Sequence, residues 1–82
     1  MNKIKTLFFA TLRDRVGVRS LEMEIPAQTN IAGFKSILMD KFPSLNGLMS
    51  HTLISMNQEY VFDDAIIPEN AEIALFPPVS GG

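Results

Sequence analysis

Between Asn30 and Pro43, apolar side chains recur at Ile31, Phe34, Leu38 and Phe42, at spacings of three, four and four. Successive residues of a helix turn by about 100°, so these four line one face, with Ile37 and Lys41 beside them and Lys35 and Asp40 off the stripe. Thr29 or Asn30 can supply the N-cap oxygen, and Pro43 stops the helix after about three turns. Gly33 inside it costs roughly 0.5–1 kcal/mol against alanine. No other stretch of the chain carries a convincing helical stripe. A lone apolar helix face must be buried against something else, and short strand-like runs lie on either side of it.

Those runs read as strands. Ile4 to Ala10 is short, apolar and bounded by charge, which suits a buried central strand. Thr11 to Val16 is a polar helical turn closed by Gly17, a residue that accepts the left-handed conformation ending many helices. Arg19 to Ile25 alternates, with Leu21, Met23 and Ile25 on one face and Ser20, Glu22 and Glu24 on the other. The two runs form a hairpin with a long connection. After the helix come an irregular turn from Ser44 to Ser50, a strand from Thr52 to Met56, and a turn at Asn57-Gln58-Glu59. A strand return at Tyr60-Val61-Phe62 follows, then a polar connection from Asp63 to Asn70 and a last strand from Ala71 to Phe76. Pro77-Pro78 ends the ladder, because proline cannot continue it. The first and last strands are expected side by side in the centre, parallel and joined through the helix. The fold class is therefore α+β, a ubiquitin-like β-grasp whose mixed sheet is covered on one face by one main helix. The domain is expected over residues 1–76, with residues 77–82 as an extended, flexible tail.

An 82-residue chain with no cysteine and one histidine has no disulfide, thiol chemistry or cysteine-based metal site to staple it. It must hold together on a core that covers only about 60% of its unfolded surface. Seven Lys/Arg against nine Asp/Glu give a net charge of −2, which argues against nucleic acid as a main partner. No apolar run approaches the ~20 residues of a membrane span. Lys3 and Lys5 ahead of Leu7-Phe8-Phe9-Ala10 resemble the start of a secretory signal. That run is shorter than the about 7–15 residues needed, however, and Arg13, Asp14 and Arg15 follow at once. The expected location is the cytoplasm. His51 lacks a ligand or catalytic partner and is expected at a surface strand edge. Asp63, Asp64, Glu69 and Glu72 read as a solvated acidic loop, the serines have no nucleophile motif around them, and the scattered methionines read as core filler. No metal site and no self-sufficient active site is visible.

The end of the chain is unusual. Ile73 to Gly82 contains no charged side chain and finishes Phe76-Pro77-Pro78-Val79-Ser80-Gly81-Gly82. With glycine at about 7% of residues, a Gly-Gly end arises by chance in roughly 0.5% of chains. A frayed tail or a remnant of cloning would also look like this. The prolines, however, hold the exit extended, and the glycines remove every side chain near the terminus. Such a tip can thread a narrow tunnel in another protein, where a Cβ would clash. A terminal carboxylate is ionised at neutral pH and is a poor electrophile. Conversion to an acyl-adenylate would let a sulfur nucleophile attack it, giving a thiocarboxylate.

Strand alternation separates two adjacent aromatics. Ile73, Leu75 and Phe8 should face Phe34, Ile37 and Leu38 of the helix, which leaves Phe9 and Phe76 on the opposite face with Tyr60 as a third member. An exposed aromatic patch marks a partner surface unless a loop covers it.

Several of these segments together resemble a known family. They are Ile4-Lys5-x-Leu7-Phe8-Phe9-Ala10, then Arg13 and Gly17, Asn57-Gln58-Glu59-Tyr60, and Glu72-Ile73-Ala74-Leu75-Phe76-Pro77-Pro78-Val79-Ser80-Gly81-Gly82. Over essentially its whole length the chain is similar to the MoaD-type sulfur carriers, the small subunits of molybdopterin synthase. Asn70-Ala71 stands where that family usually has a Gly-Asp turn; asparagine tolerates left-handed geometry, so the fold should persist. The resemblance implies that a ubiquitin-activating-like adenylyltransferase uses ATP to adenylate Gly82 and that a sulfur donor protein converts it to the thiocarboxylate. It also implies that the tail Pro77, Pro78, Val79, Ser80, Gly81 and Gly82 enters the large subunit of molybdopterin synthase. There sulfur passes to cyclic pyranopterin monophosphate. The chain would bind no cofactor and would not be an enzyme on its own, but the sulfur-donating subunit of a hetero-oligomer. Phe9, Arg13, Tyr60 and Phe76 would contact the large subunit. A thiamine-pathway sulfur carrier, a ubiquitin-like protein modifier and a binding module with an inert tail are the alternatives.

Overall fold

A computed structural model of the chain describes residues 1–78. Strand β1 (Asn2–Phe8) leads into the short helix α1 (Ala10–Val16) and returns as β2 (Ser20–Ile25). The main helix α2 (Ile31–Lys41) is followed by single 3₁₀ turns at Pro43–Leu45 and Met49–His51, then β3 (Leu53–Met56), β4 (Glu59–Tyr60) and β5 (Glu72–Phe76). The five strands form one sheet in the order β2-β1-β5-β3-β4. β1 and β5 run parallel at its middle, and the other neighbours are antiparallel. The expected β-grasp outline is the observed one.

The helical stripe does what its spacing requires. Ile31, Phe34 and Leu38 are fully buried against Ile4, Phe8, Ile73 and Leu75 of the sheet. Phe42 follows the last helical residue and meets Phe8 edge-on, ring centroids 6.0 Å apart. The N-cap is Asn30, whose Oδ1 accepts from the Gly33 N–H at 2.8 Å. Gly33 is crowded there: a Cβ would lie 3.2 Å from the Thr29 methyl and 3.4 Å from Asn30 Oδ1. Glycine at this point therefore clears the cap as well as weakening the helix. Gly17 ends α1 at φ 85°, with its N–H on the Arg13 carbonyl at 2.8 Å. Asn70 has φ 63°, so it takes the left-handed turn before β5.

Four local expectations are corrected. β1 stops at Phe8, and Ala10 does not extend the strand but turns it into α1 at φ 53°. The turn after β3 is Asn57-Gln58 alone, at φ 52° and 72°, and the return strand is Glu59–Tyr60 instead of Tyr60 to Phe62. The Val61 N–H still donates to the Ile54 carbonyl of β3 at 3.1 Å, and beyond it the chain leaves the sheet because α2 draws it away. The first N–H groups of a helix lack internal partners, and here Ile31 N–H donates to the Ala65 carbonyl and Ala32 N–H to the Asp63 carbonyl, both at 3.0 Å. The connection from Asp63 to Asn70 is consequently less polar than it reads: Ile67 is fully buried and Ile66 bridges to Asn30. His51 sits exposed in a 3₁₀ turn and not at a strand edge, because Leu45 and Met49 in the preceding segment are drawn into the core.

Candidate functional site

The last extended residue before α1 is Phe9 (φ −120°, ψ 149°), held by its N–H on the Leu75 carbonyl at 3.2 Å. Alternation along β1 buries Ile4, Thr6 and Phe8 and leaves Phe9 on the other face, 42% exposed. Along β5 the same alternation turns Ile73 and Leu75 inward and Phe76 outward. Parallel pairing of Phe8 with Leu75 brings the next residues together, and Phe9 stacks on Phe76 with centroids 4.8 Å apart and planes 10° from parallel. Tyr60 reaches the same place from β4. Its partner in the ladder is Ser55, which is opposite Ala74. Its ring meets Phe76 edge-on at 6.4 Å and is 73% exposed. Leu53, paired with Phe76 across β3 and β5, adds an exposed apolar side chain that sequence reading missed. The signal was available, because Leu53 is two residues before Ser55 and so shares the face of Tyr60.

The outer face divides along its length. At the far end Lys3 is opposite Glu24, and Lys5 lies between Glu22 and Glu72. The other end, from which Pro77 departs, carries Leu7, Phe9, Leu53, Tyr60 and Phe76. An apolar cluster of this kind on one end of an otherwise charged face is the composition of an interface core.

Arg13 lies one helical turn beyond Phe9, and its N–H donates to the Phe9 carbonyl at 3.4 Å. With Arg19, Leu7, Phe9 and Ser20 it lines a groove of about 340 Å³ beside the aromatic stack. Among the described residues, the one ion pair is Lys35–Asp63 at 2.7 Å, so neither guanidinium has a carboxylate partner there. Arg15 instead points to the Ser44 carbonyl, at 3.5 Å. Phe9, Arg13, Tyr60 and Phe76 are thus brought to one end of the molecule. Pro77 is half-buried and Pro78 exposed. Val79, Ser80, Gly81 and Gly82 lie outside the described residues. Among the described residues no three His, Asp or Glu side chains gather as metal ligands, and no helix is long and apolar enough to cross a membrane.

A family model described as the ThiS family matches residues 6–82. The chain belongs to the ThiS family. Its curated relatives include the molybdopterin synthase sulfur carrier subunit of Arabidopsis thaliana, 38% identical over 80 residues that cover 98% of this chain and 83% of the relative. The protein of the same name from Caenorhabditis briggsae is 33% identical over 84 residues and is matched along the full length of both chains. Among solved structures, this ThiS-family chain superposes on SAMP1 from Haloferax volcanii with a TM-score of 0.86 at 25% identity, covering 99% and 100% of the two chains. It also superposes on a chain of the complex of subunits 1 and 2 of the molybdopterin-converting factor from Helicobacter pylori. The TM-score there is 0.70 at 18% identity over 98% and 99% of the chains, a likeness of fold. The family resemblance read along the sequence and the β-grasp fold are both borne out.

Proposed function

We propose that this ThiS-family chain is the sulfur carrier subunit of a molybdopterin synthase. The observation that carries the reading is full-length similarity, at 33–38% identity, to curated proteins of that name. The sequence adds a charge-free ending that suits the chemistry. An adenylyltransferase would transfer AMP from ATP to the Gly82 carboxylate, releasing pyrophosphate. The outer sulfur of a persulfide on the sulfur donor would then displace AMP to give an acyl disulfide. A thiol of a partner protein, this chain having no cysteine, would cleave the S–S bond, becoming a disulfide with the donor sulfur and leaving the thiocarboxylate. The activated end would then transfer sulfur to cyclic pyranopterin monophosphate inside the large subunit.

The chain's own part in this is delivery. Proline fixes φ near −65°, so Pro77-Pro78 carries the tail away from the sheet directly after the Phe9–Phe76 stack. A partner seated on that stack lies beside the start of the tail, and the Gly81-Gly82 tip has no Cβ to obstruct a narrow passage. The substrate pocket belongs to the partner; this chain supplies anchor, spacer and terminus. Arg13 and Arg19 at the patch rim favour carboxylates on the partner.

Titration of the purified chain against the large subunit of molybdopterin synthase tests the reading. A complex should form at micromolar concentration or below, and Phe9→Ala should weaken it. A chain that forms no such complex is not this subunit. The structural similarity to SAMP1 favours one other reading, a protein modifier joined through Gly82 to lysines; lysine-linked adducts recovered from cells would support it.

A further inference from the structure

Tyr60 belongs to two surfaces. Its ring meets Phe76, and it also lines a groove of about 450 Å³ together with buried Ile31 and Ile54 and exposed Phe62. Phe62 is 85% exposed, more than any other large apolar side chain among the described residues. A single exposed apolar residue means little. This one continues the Phe9–Phe76–Tyr60 cluster around the short edge strand β4. It is also displayed on anchored backbone. The Phe62 carbonyl accepts from Ala65 N–H at 3.1 Å, the Asp63 carbonyl caps α2, and Lys35 Nζ holds the Asp63 carboxylate at 2.7 Å. A ring held out on a pinned loop loses little conformational entropy when a partner covers it.

The charges around the patch are not uniform. Arg13 and Arg19 flank it on the Phe9 side. On the Phe62 side Lys35 balances Asp63, which leaves exposed Glu59 and Asp64 with no ion-pair partner among the described residues. A patch with a basic rim at one end and an acidic rim at the other accepts a complementary surface in one orientation only. We propose that the Phe62 shoulder is a second docking face, on which the large partner that covers Phe9 and Phe76 lays an apolar segment bearing lysine or arginine side chains. This rests on the carrier-subunit reading above. It assigns to Phe62 an anchoring role, and to Glu59 and Asp64 the orientation of the encounter.

The test is titration of the large subunit of molybdopterin synthase, used as the probe, against the full chain and three variants. Phe62→Ser should melt like the parent and bind about tenfold or more weakly. Glu59→Gln with Asp64→Asn should slow association and flatten its dependence on salt. Phe9→Ala is the control for the underlying reading. If it weakens binding while Phe62→Ser and the double variant match the parent, the shoulder lies outside the interface and the inference is wrong. If no complex forms, or Phe9→Ala also binds like the parent, the carrier-subunit reading fails and takes the inference with it. Should Phe62→Ser lower the melting temperature, amide hydrogen exchange of the parent decides instead. The complex must protect residues 59–64, and unchanged exchange there overturns the proposal.

Discussion

Phe8 and Phe9, joined by one peptide bond, serve opposite faces of the sheet: Phe8 is 2% exposed in the core and Phe9 is 42% exposed in the aromatic stack. Replacing each by alanine should therefore have opposite consequences. Phe8→Ala removes a ring that packs under α2 and against Phe42, and should cost about 3–5 kcal/mol. That is most of the stability of so small a domain. Phe9→Ala loses part of one stacking contact and should cost about 1 kcal/mol. Its effect belongs in partner binding, at roughly 2 kcal/mol, some thirtyfold in Kd. Thermal unfolding of each variant alone checks the first pair of values, and titration against the large subunit checks the last.

The cap of α2 gives a second prediction. Asn30→Ala removes the acceptor for the Gly33 N–H and should destabilise the fold by about 1 kcal/mol. For a domain of this size that lowers Tm by about 4–8 °C. Asn30→Asp keeps an acceptor oxygen at the helix N-terminus and should retain most of the stability. Equal losses in the two variants would mean that the cap bond contributes nothing.

The β3–β4 turn gives a third. Gln58 holds φ 72° in a two-residue hairpin turn, where glycine is the preferred residue and Asn-Gly the favoured pair. Gln58→Gly should raise stability by about 0.5 kcal/mol, the relief of left-handed strain being partly offset by a freer unfolded chain. Denaturant titration should show a higher midpoint with an unchanged slope.

How far the sequence revealed the fold follows from which interactions are local. The stripe Ile31, Phe34, Leu38 is a property of one segment, and so are the alternation in β2 and the Gly17 stop, so each could be read directly. The placement of Phe9 and Phe76 followed from parity, because a strand leaves a side chain only two choices. The end of β4 could not be read that way. It is set by helix N–H groups on Ile31 and Ala32, about thirty residues earlier, that recruit the Asp63 and Ala65 carbonyls. The apolar meaning of Ile66 and Ile67 was hidden for the same reason. Leu53 was legible but needed the β3–β5 register before its face could be assigned. Phe62 was misplaced on a strand, so its exposure could not be foreseen.

The tail should be separable from the fold. β5 ends at Phe76 and Pro78 is already exposed, so deletion of Gly82 should leave Tm unchanged and abolish sulfur transfer. Replacing Gly81 with a bulky residue should leave Tm unchanged too, and should block turnover by the large subunit even if Gly82 is still adenylated. A drop in Tm on deletion would make the terminus part of the core, which contradicts the delivery role.

The most direct measurement is a single turnover. The chain, converted to its thiocarboxylate and verified by intact mass, is mixed with the large subunit and cyclic pyranopterin monophosphate. Molybdopterin should appear as the carrier returns to the mass of its carboxylate form, with the thiocarboxylate consumed in proportion to the sulfur transferred. A thiocarboxylated chain that binds the large subunit and keeps its sulfur while the pterin remains unchanged would contradict the account.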